Sequence, residues 1–184
     1  IRHVSKGHNV LNINNVDAFV HNEWNINTKS DDIVTLSLGL RANYWGYNNE
    51  INVSPRAGIA YKPSWSDDML FRLSGGVYVQ PPFYRELRKF DGSLVGPDDA
   101  STQKSYQVVF THEYNFKAWD RPFVLTSEVY YKYLKDIIPY EVDNVRIKYF
   151  ADQKATGYAA GMDMRINGEF VKGIESWASL SIMK

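Results

Sequence analysis

The segment from Val34 to Tyr44, which reads VTLSLGLRANY, gives the clearest indication of the fold. Its alternate residues are apolar and end in an aromatic ring, while the residues between them are polar or glycine. Because successive side chains of a strand point to opposite faces, this pattern predicts a strand with one apolar face and one polar face. The stretch is also about twice as long as the 5–6 residues of an ordinary globular strand.

The same alternation recurs along the chain and predicts an all-β fold of about eight long antiparallel strands. Short turns alternate with longer connections, so we expect all long loops to emerge at one end of the sheet. The two longest loops cover 81–101 and 135–155, and loops of that length are usually functional. The second one should contain a hairpin around Asp143-Asn144. The predicted strands are 16–26, 33–46, 51–62, 69–80, 102–116, 122–134, 157–170 and 176–184.

Charged residues within the predicted strands fall on the polar faces, except Lys104, which falls on the apolar face near the long-loop end. Aromatic residues gather near both ends of the strands. Four tryptophans (Trp24, Trp65, Trp119 and Trp177) lie beside the short turns, and tyrosines such as Tyr106 lie toward the long loops. Amphipathic rings favour a membrane interface, and the two belts are about 25 Å apart, the height of the apolar band of an outer-membrane barrel. We therefore predict an up-and-down transmembrane β-barrel segment with its apolar face toward lipid.

His112 lies on this apolar face, and the pattern gives no reason for it. The charged residues predicted to line the wet interior are Arg41, Arg56, Arg72, Glu113, Glu128, Lys132, Asp163 and Arg165.

Alternation alone leaves other classes of β protein open. A soluble β-sandwich or lipocalin-like barrel, for example a carbohydrate-binding module, would bury the apolar face inside and expose the charges. A passive porin would share the membrane orientation but would have no plug domain. Whether the apolar face meets a second protein layer separates the soluble alternatives from the membrane barrel.

Composition excludes several functions. The 184 residues contain 21 Lys plus Arg and 21 Asp plus Glu, so the formal net charge is zero. That balance argues against a nucleic-acid-binding protein and against a polybasic membrane-surface module. The absence of cysteine excludes disulfides, thiolate metal sites and a cysteine nucleophile. No run approaches the roughly 20 apolar residues of a membrane helix. We also expect the sequence to be a piece of a longer protein.

Motifs for catalysis or for cofactor binding are missing from the sequence. There is no Gly-x-Ser-x-Gly elbow, no phosphate-binding glycine loop and no His-Glu-x-x-His, so we predict no enzyme, no catalytic residue, no metal and no cofactor. His3 and His8 support a metal site only as a minor hypothesis. Glu113 and Glu128 could form a carboxylate pair, but we favour a lining ion pair with Lys132 or Arg72.

Four segments resemble the β-barrel of TonB-dependent outer-membrane receptors. SPRAGIAYKP (54–63) is similar to their "PRxxxxY" strand. FRLSGGVYVQPPFYREL (71–87) is similar to the next strand and its exit into an extracellular loop. VYYKYLKDII (129–138) and ATGYAAGMD (155–163) follow in the family's order. Together the four segments follow the family's order and spacing over most of residues 16–184.

The resemblance implies a 22-stranded barrel in the Gram-negative outer membrane, filled by an N-terminal plug domain. Such receptors import scarce ligands (iron chelates, cobalamin, glycans or peptides) with energy passed on by TonB. The implied partners are membrane lipid, the plug, the other barrel strands, the TonB complex and the small-molecule, glycan or peptide ligand, but no nucleic acid. The plug and the TonB-contacting segment are missing here, so this part of the barrel alone should not transport.

Ligand capture should belong to the two long loops and the strand ends that lead into them. Aromatic side chains offer flat apolar contact, and charged groups fix the orientation of a ligand. The alternative is that the same residues only pack the loops together. The candidates are Tyr78, Gln80, Phe83, Tyr84 and Arg85 for the first loop and Tyr140, Glu141, Arg146 and Tyr149 for the second.

Overall fold

The computed structural model describes residues 11–27, 32–66, 68–89 and 91–184, without the side chains of Asn27, Asp143 and Arg146. His3 and His8 lie outside the described residues. No helix in these ranges is long and apolar enough to cross a membrane.

The described chain forms one eight-stranded antiparallel sheet and one separate hairpin. The order in the sheet is β1-β2-β3-β4-β5-β6-β9-β10, and β7 pairs only with β8. This topology confirms the predicted all-β, up-and-down fold. The strands are β1 (Asn15–Asn27), β2 (Ile33–Trp45), β3 (Glu50–Lys62), β4 (Met69–Gln80), β5 (Gln103–Ala118), β6 (Arg121–Ile137), β7 (Tyr140–Asp143), β8 (Arg146–Tyr149), β9 (Ala155–Val171) and β10 (Ile174–Met183).

The second long loop begins later than the sequence indicated. β6 continues to Ile137, past the predicted end at residue 134. Its register against β9 shifts between Leu134 and Ile137, and Asp136 has a positive φ of 57°. A residue in this left-handed conformation is typical of a β-bulge, which lets a strand continue after an irregular step. The loop from 138 to 154 then carries the β7–β8 hairpin.

The register gives the sheet one apolar face and one polar face. Leu73 of β4, for example, lies opposite Ile59 of β3 and Phe110 of β5, and the three share the apolar face. Leu73 is 48% exposed and Val108 is 54% exposed, because no second sheet of the described chain covers this face. In a soluble sandwich a second sheet would bury such residues. The architecture therefore disfavours the soluble alternatives.

His112 gains a physical explanation from its neighbours. It lies on the apolar face, and its ring stacks on Phe71 with centroids 4.9 Å apart and on Tyr114 at 6.5 Å. The interplanar angles are 19° and 11°, so the three rings are nearly parallel. An imidazole in this position serves as a flat aromatic surface.

Trp177 departs from the predicted aromatic belts. A register shift between Ile174 and Ser176 precedes it, and it then pairs with Asn167, on the polar face. The Arg165 guanidinium carbon lies 5.3 Å from the Trp177 ring centroid, within cation–π range. Trp177 shares this face with Ser179 and Ser181 by regular alternation, so it stands apart from the aromatic rings of the apolar face.

The strands β3 and β4 separate toward the long loops. Their pairing runs from Tyr61–Phe71 to Arg56–Gly76 and stops there, although β3 reaches back to Glu50 and β4 continues to Gln80. Pro55 is the next residue of β3, and proline has no N–H to donate to a ladder. The two strands therefore enclose an open angle at this end of the sheet.

Apart from Phe123 of β6, the buried apolar side chains collect at the loop end of the sheet. We call this set the cap core, and around it pack Leu11, Ile13, Tyr47 and Leu94. It joins the β2–β3 turn to both long loops, so the loop end of the sheet is an ordered structure. The cap core consists of Trp45, Leu87, Val95, Ala100 and Ala151.

Candidate functional site

A groove of about 400 Å³ lies beside the gap between β3 and β4. We call it the loop-end groove. Most of its lining residues belong to the polar face, whereas Val79 and Lys104 belong to the apolar face by register. Its lining includes three cationic residues and no carboxylate. The lining residues are Arg41, Ser54, Arg56, Tyr78, Val79, Gln80, Gln103, Lys104, Ser105, Gln107, Leu134 and Ile137.

The two arginines of the groove are held by different partners. Arg41 donates through Nη2 to Asp17 Oδ1 at 2.8 Å and through Nε to the same oxygen at 3.1 Å. The Arg56 guanidinium instead lies over the Tyr78 ring, 4.4 Å from its centroid. Arg56 makes no ion pair with any carboxylate in the described part of the chain. Its charge is therefore positioned by an aromatic ring and remains unneutralised.

Gly76 makes the position of Arg56 possible. A Cβ atom at Gly76 would lie 2.9 Å from Arg56 Cγ and 2.9 Å from the Pro55 carbonyl oxygen. Those separations are below ordinary contact distance, so any side chain here would displace the arginine stem or the strand. The glycine thus leaves a channel across β4 through which Arg56 reaches Tyr78.

A buried polar network lies where the first long loop returns to the sheet. The Thr102 N–H donates to Glu50 Oε2 at 3.2 Å, and its hydroxyl lies 2.9 Å from both Glu50 Oε1 and Asn52 Oδ1. One hydroxyl hydrogen can serve only one of these oxygens, and the buried Asn52 Nδ2 has no partner. Turning the Asn52 amide by 180° would let Nδ2 donate to the Thr102 hydroxyl and satisfy both groups.

The first long loop is also tied to the β2–β3 turn. The Tyr47 hydroxyl donates to the Val95 carbonyl, and Asn48 Nδ2 donates to the Ala100 carbonyl at 3.0 Å. Burial raises the pKa of the Tyr47 phenol, so the hydroxyl keeps its proton at physiological pH. These bonds fix the loop over residues that are about fifty positions away in the sequence.

Gln103 connects the two long loops at the edge of the groove. Its Nε2 donates to Glu86 Oε2 at 3.1 Å, and its Oε1 accepts from the Ile138 N–H at 3.4 Å. Glu86 Oε2 also accepts from the Phe83 N–H at 2.8 Å, which closes the turn at the start of the first loop. Gln103, which lines the groove, is therefore hydrogen-bonded to both long loops.

The predicted ligand-contacting residues occupy three separate places. Tyr78 and Gln80 lie in β4 and line the loop-end groove. The turn after β4 carries the second group, and the β7–β8 hairpin carries the third, in which the Tyr140 and Tyr149 rings are 6.1 Å apart. Neither the turn nor the hairpin contributes to the lining of the groove. The turn residues Phe83, Tyr84 and Arg85 are exposed, and the hairpin residues are Tyr140, Glu141, Arg146 and Tyr149.

The eight charged residues predicted to face the interior share the polar face, by strand register. Their lining of a plug-filled lumen stays a prediction. The expected ion pair of Glu113 or Glu128 with Lys132 or Arg72 was wrong: among the described residues, none of these four forms an ion pair. Register explains this, because Glu128 faces Thr111 on one side and Asp163 on the other. Lys132 instead lies over the Tyr130 ring, 5.0 Å from its centroid.

Sequence reasoning missed the residues that build the loop end. Trp45, Leu87, Val95 and Thr102 belong to segments far apart in the chain, and none of them forms a motif. For the gap between β3 and β4 the sequence did contain a signal, Pro55 inside a long strand, since a proline there marks the end of pairing on one side. In the described ranges, no three His, Cys, Asp or Glu side chains gather as metal ligands.

Comparisons with known proteins place this geometry in a family. The family model described as "TonB dependent receptor-like, beta-barrel" matches residues 5–181. A solved structure titled "Copper transporter OprC" superposes with a TM-score of 0.62 and 17% identity. The match covers 93% of this chain and 28% of that chain, so the present chain spans little more than a quarter of that structure. The curated proteins contain no match.

Proposed function

Because the chain belongs to the TonB-dependent receptor-like β-barrel family, we propose that it forms part of an outer-membrane receptor. That receptor binds a scarce extracellular ligand and imports it into the periplasm with energy supplied through TonB. The family is one of receptors and transporters rather than enzymes. The observation that best supports the proposal is the single sheet whose apolar face is uncovered and whose polar face carries unpaired charges.

The two faces would have separate roles in the full receptor. Each backbone polar group in a bilayer needs a partner, so the outer edges of β1 and β10 would pair with the remaining barrel strands. The apolar face would contact membrane lipid, and the polar face would contact the plug domain. The capped loop end would face the outside and receive the ligand.

Uptake by the full-length receptor tests this function. We expect cells that express it to take up one ligand from a panel (a ferric chelate, cobalamin, an oligosaccharide or a peptide) only when TonB is active. The reason is that a plugged barrel has no open pore until energy is supplied. Uptake of radiolabelled ligand should fall to the background of receptor-free cells when TonB is deleted.

Two controls separate this result from the alternatives. Uptake that is equal with and without TonB would identify a passive porin. A panel without any TonB-dependent uptake, in cells whose outer membrane contains the folded receptor, would count against the import function.

Two carboxylates on the polar face indicate how a plug would be held. Glu128 and Asp163 lie directly opposite each other on β6 and β9, and neither forms an ion pair within the described chain. Like charges at directly opposed positions are unfavourable by roughly 0.2–1 kcal/mol. A basic side chain of the plug placed between them would remove the repulsion. We infer that the pair serves as a contact for basic plug residues.

The sign of a mutational effect tests this contact. In the full receptor, E128Q with D163N should destabilise the plug against urea by about 1–3 kcal/mol, because hydrogen bonds to charged groups are lost. In a barrel from which the plug is deleted, the same double variant should be neutral or slightly stabilising. Equal effects with and without the plug would show that the pair does not contact it.

A further inference from the structure

We propose that the loop-end groove binds an oxyanion group, a carboxylate or a phosphate, and that Arg56 is its principal anchor. This inference rests on the proposed function and names the chemical class that one part of the receptor would recognise. It starts from the lining of the groove, in which Arg41, Arg56 and Lys104 are the charged residues.

The three cations are not equivalent. Arg41 is paired with Asp17, and Lys104 Nζ lies 3.5 Å from Glu50 Oε1. Those two carboxylates offset the two cations and lie outside the lining of the groove. Arg56 has no such partner in the described chain, so it is the cation of the lining without a carboxylate partner. The carboxylate of Glu86, outside the lining, is bonded to Gln103 at the edge of the groove.

The planar guanidinium of Arg56 suits an oxyanion. Its N–H groups form a fork that matches two oxygens of a carboxylate or phosphate, a geometry that lysine lacks. The Arg56 guanidinium carbon lies 4.4 Å from the Tyr78 ring centroid, and this cation–π contact positions the charge without a hydrogen-bond acceptor for its N–H groups. An arginine already held in place loses little conformational freedom when the ligand binds.

Neutral polar groups complete the site. Ser54 and Ser105 offer hydroxyl groups, and three glutamines offer amides. Gln103 Nε2 already donates to Glu86 and Gln107 Nε2 to Ser105, so each of these two amides keeps one N–H for an oxyanion-bearing molecule. The separation of β3 and β4 beyond Arg56–Gly76 opens this lining, since paired strands would close it. The three glutamines are Gln80, Gln103 and Gln107.

Anion titration of the purified full-length receptor tests the site. Citrate and inorganic pyrophosphate should bind to the receptor in nanodiscs of phosphatidylcholine, as measured by isothermal titration calorimetry. R56Q should weaken this binding at least tenfold, because it removes a charge-assisted contact. R56K should recover only part of it, because lysine keeps the charge but not the fork.

Lys62→Gln is the matched control. Lys62 lies on the same strand and the same face as Arg56 but six residues away, at the short-turn end of β3, and it does not line the groove. K62Q removes the same charge from the receptor, so a general electrostatic effect would weaken anion binding equally in K62Q and R56Q. That result, or an absence of citrate and pyrophosphate binding in phosphatidylcholine nanodiscs, would overturn the proposal.

A lipid headgroup and a free anion share this chemistry, and the nanodisc composition distinguishes them. If phosphatidylglycerol in the disc lowers citrate affinity for the original receptor but not for R56Q, a lipid phosphate occupies the groove. If the lipid has no effect, the site serves a soluble anion. The uptake assay tests the proposed transport separately. If import depends on TonB but anion binding does not depend on Arg56, the groove proposal is wrong and the transport proposal stands. If anion binding depends on Arg56 but no import occurs, the transport proposal is wrong.

Discussion

Replacing Leu73 by arginine should destabilise the full-length receptor in a bilayer by about 2–4 kcal/mol, whereas the same change at Ser74 should have little effect. The two residues are neighbours in β4 but point to opposite faces. Leu73 lies among apolar residues of the uncovered face, and Ser74 lies between Gly58 and Val109 on the polar face. The pair therefore tests which face meets lipid.

The expected difference follows from the cost of placing a charge in hydrocarbon. Arginine near the middle of the apolar band of a barrel costs about 2–4 kcal/mol, and this cost falls to about 0–1 near the interfaces. Leu73 lies near the middle of its strand, about midway between the two ends of β4. An arginine at Ser74 would extend into the wet interior, where water solvates it. Both variants add the same positive charge to β4, at neighbouring positions.

Urea unfolding of the receptor in phosphatidylcholine vesicles measures this difference. Tryptophan fluorescence and heat-modifiable migration on gels report the fraction of folded barrel. If S74R were the more destabilised variant, the apolar face would be the inner one, and the membrane orientation would be reversed. Equal destabilisation of both variants would contradict the assignment, because it would show that the two faces do not differ in their contact with lipid.

The sequence predicted the sheet well because its signal is local. Alternation over ten or more residues is a property of each strand alone, and Val34 to Tyr44 shows it without reference to any neighbour. The short turns helped for the same reason: Trp119 and Asp120 both adopt positive φ between β5 and β6, as a tight two-residue hairpin requires. The antiparallel order then follows from short connections between successive strands.

The loop-end groove could be predicted only in part. Tyr78, Gln80, Arg41 and Arg56 were each recognised as candidates, but they were assigned to two different roles, and the register brings them together. The ion pairs expected for Glu113 and Glu128 failed for a related reason. Which charges face each other depends on the offset between strands, and a one-residue offset changes every partner. Residue types alone do not contain that offset.

The cap core provides the second large effect. Replacing Trp45 by alanine should cost about 3–5 kcal/mol of local stability, the usual loss for a buried tryptophan. Trp45 is 1% exposed, its ring lies 5.4 Å from that of Tyr47, and it belongs to the same cluster as Leu87 and Val95. The matched control is Trp65→Ala, since Trp65 is 69% exposed beside a short turn.

Hydrogen exchange locates this loss of stability. The Val95 N–H donates to the Leu87 carbonyl at 2.8 Å within the first long loop, so its exchange rate reports whether the cap core is closed. In W45A the Val95 amide should exchange at least a hundredfold faster, while amides in the middle of β5 keep their protection. Unchanged exchange at Val95 would show that the loop is held by its hydrogen bonds alone.

The same variant connects the cap core to binding. Gln103 contacts Glu86 of the first loop and Ile138 of the second, and it also lines the groove. When the cap core opens, Gln103 loses the fixed partners that orient it, whereas Arg56 keeps its contact with Tyr78. W45A should therefore weaken citrate binding less than R56Q does, and W45A combined with Q103A should bind citrate no more weakly than W45A alone. If the losses of citrate affinity caused by W45A and by Q103A simply added in the double variant, Gln103 would contact the anion independently of the loops.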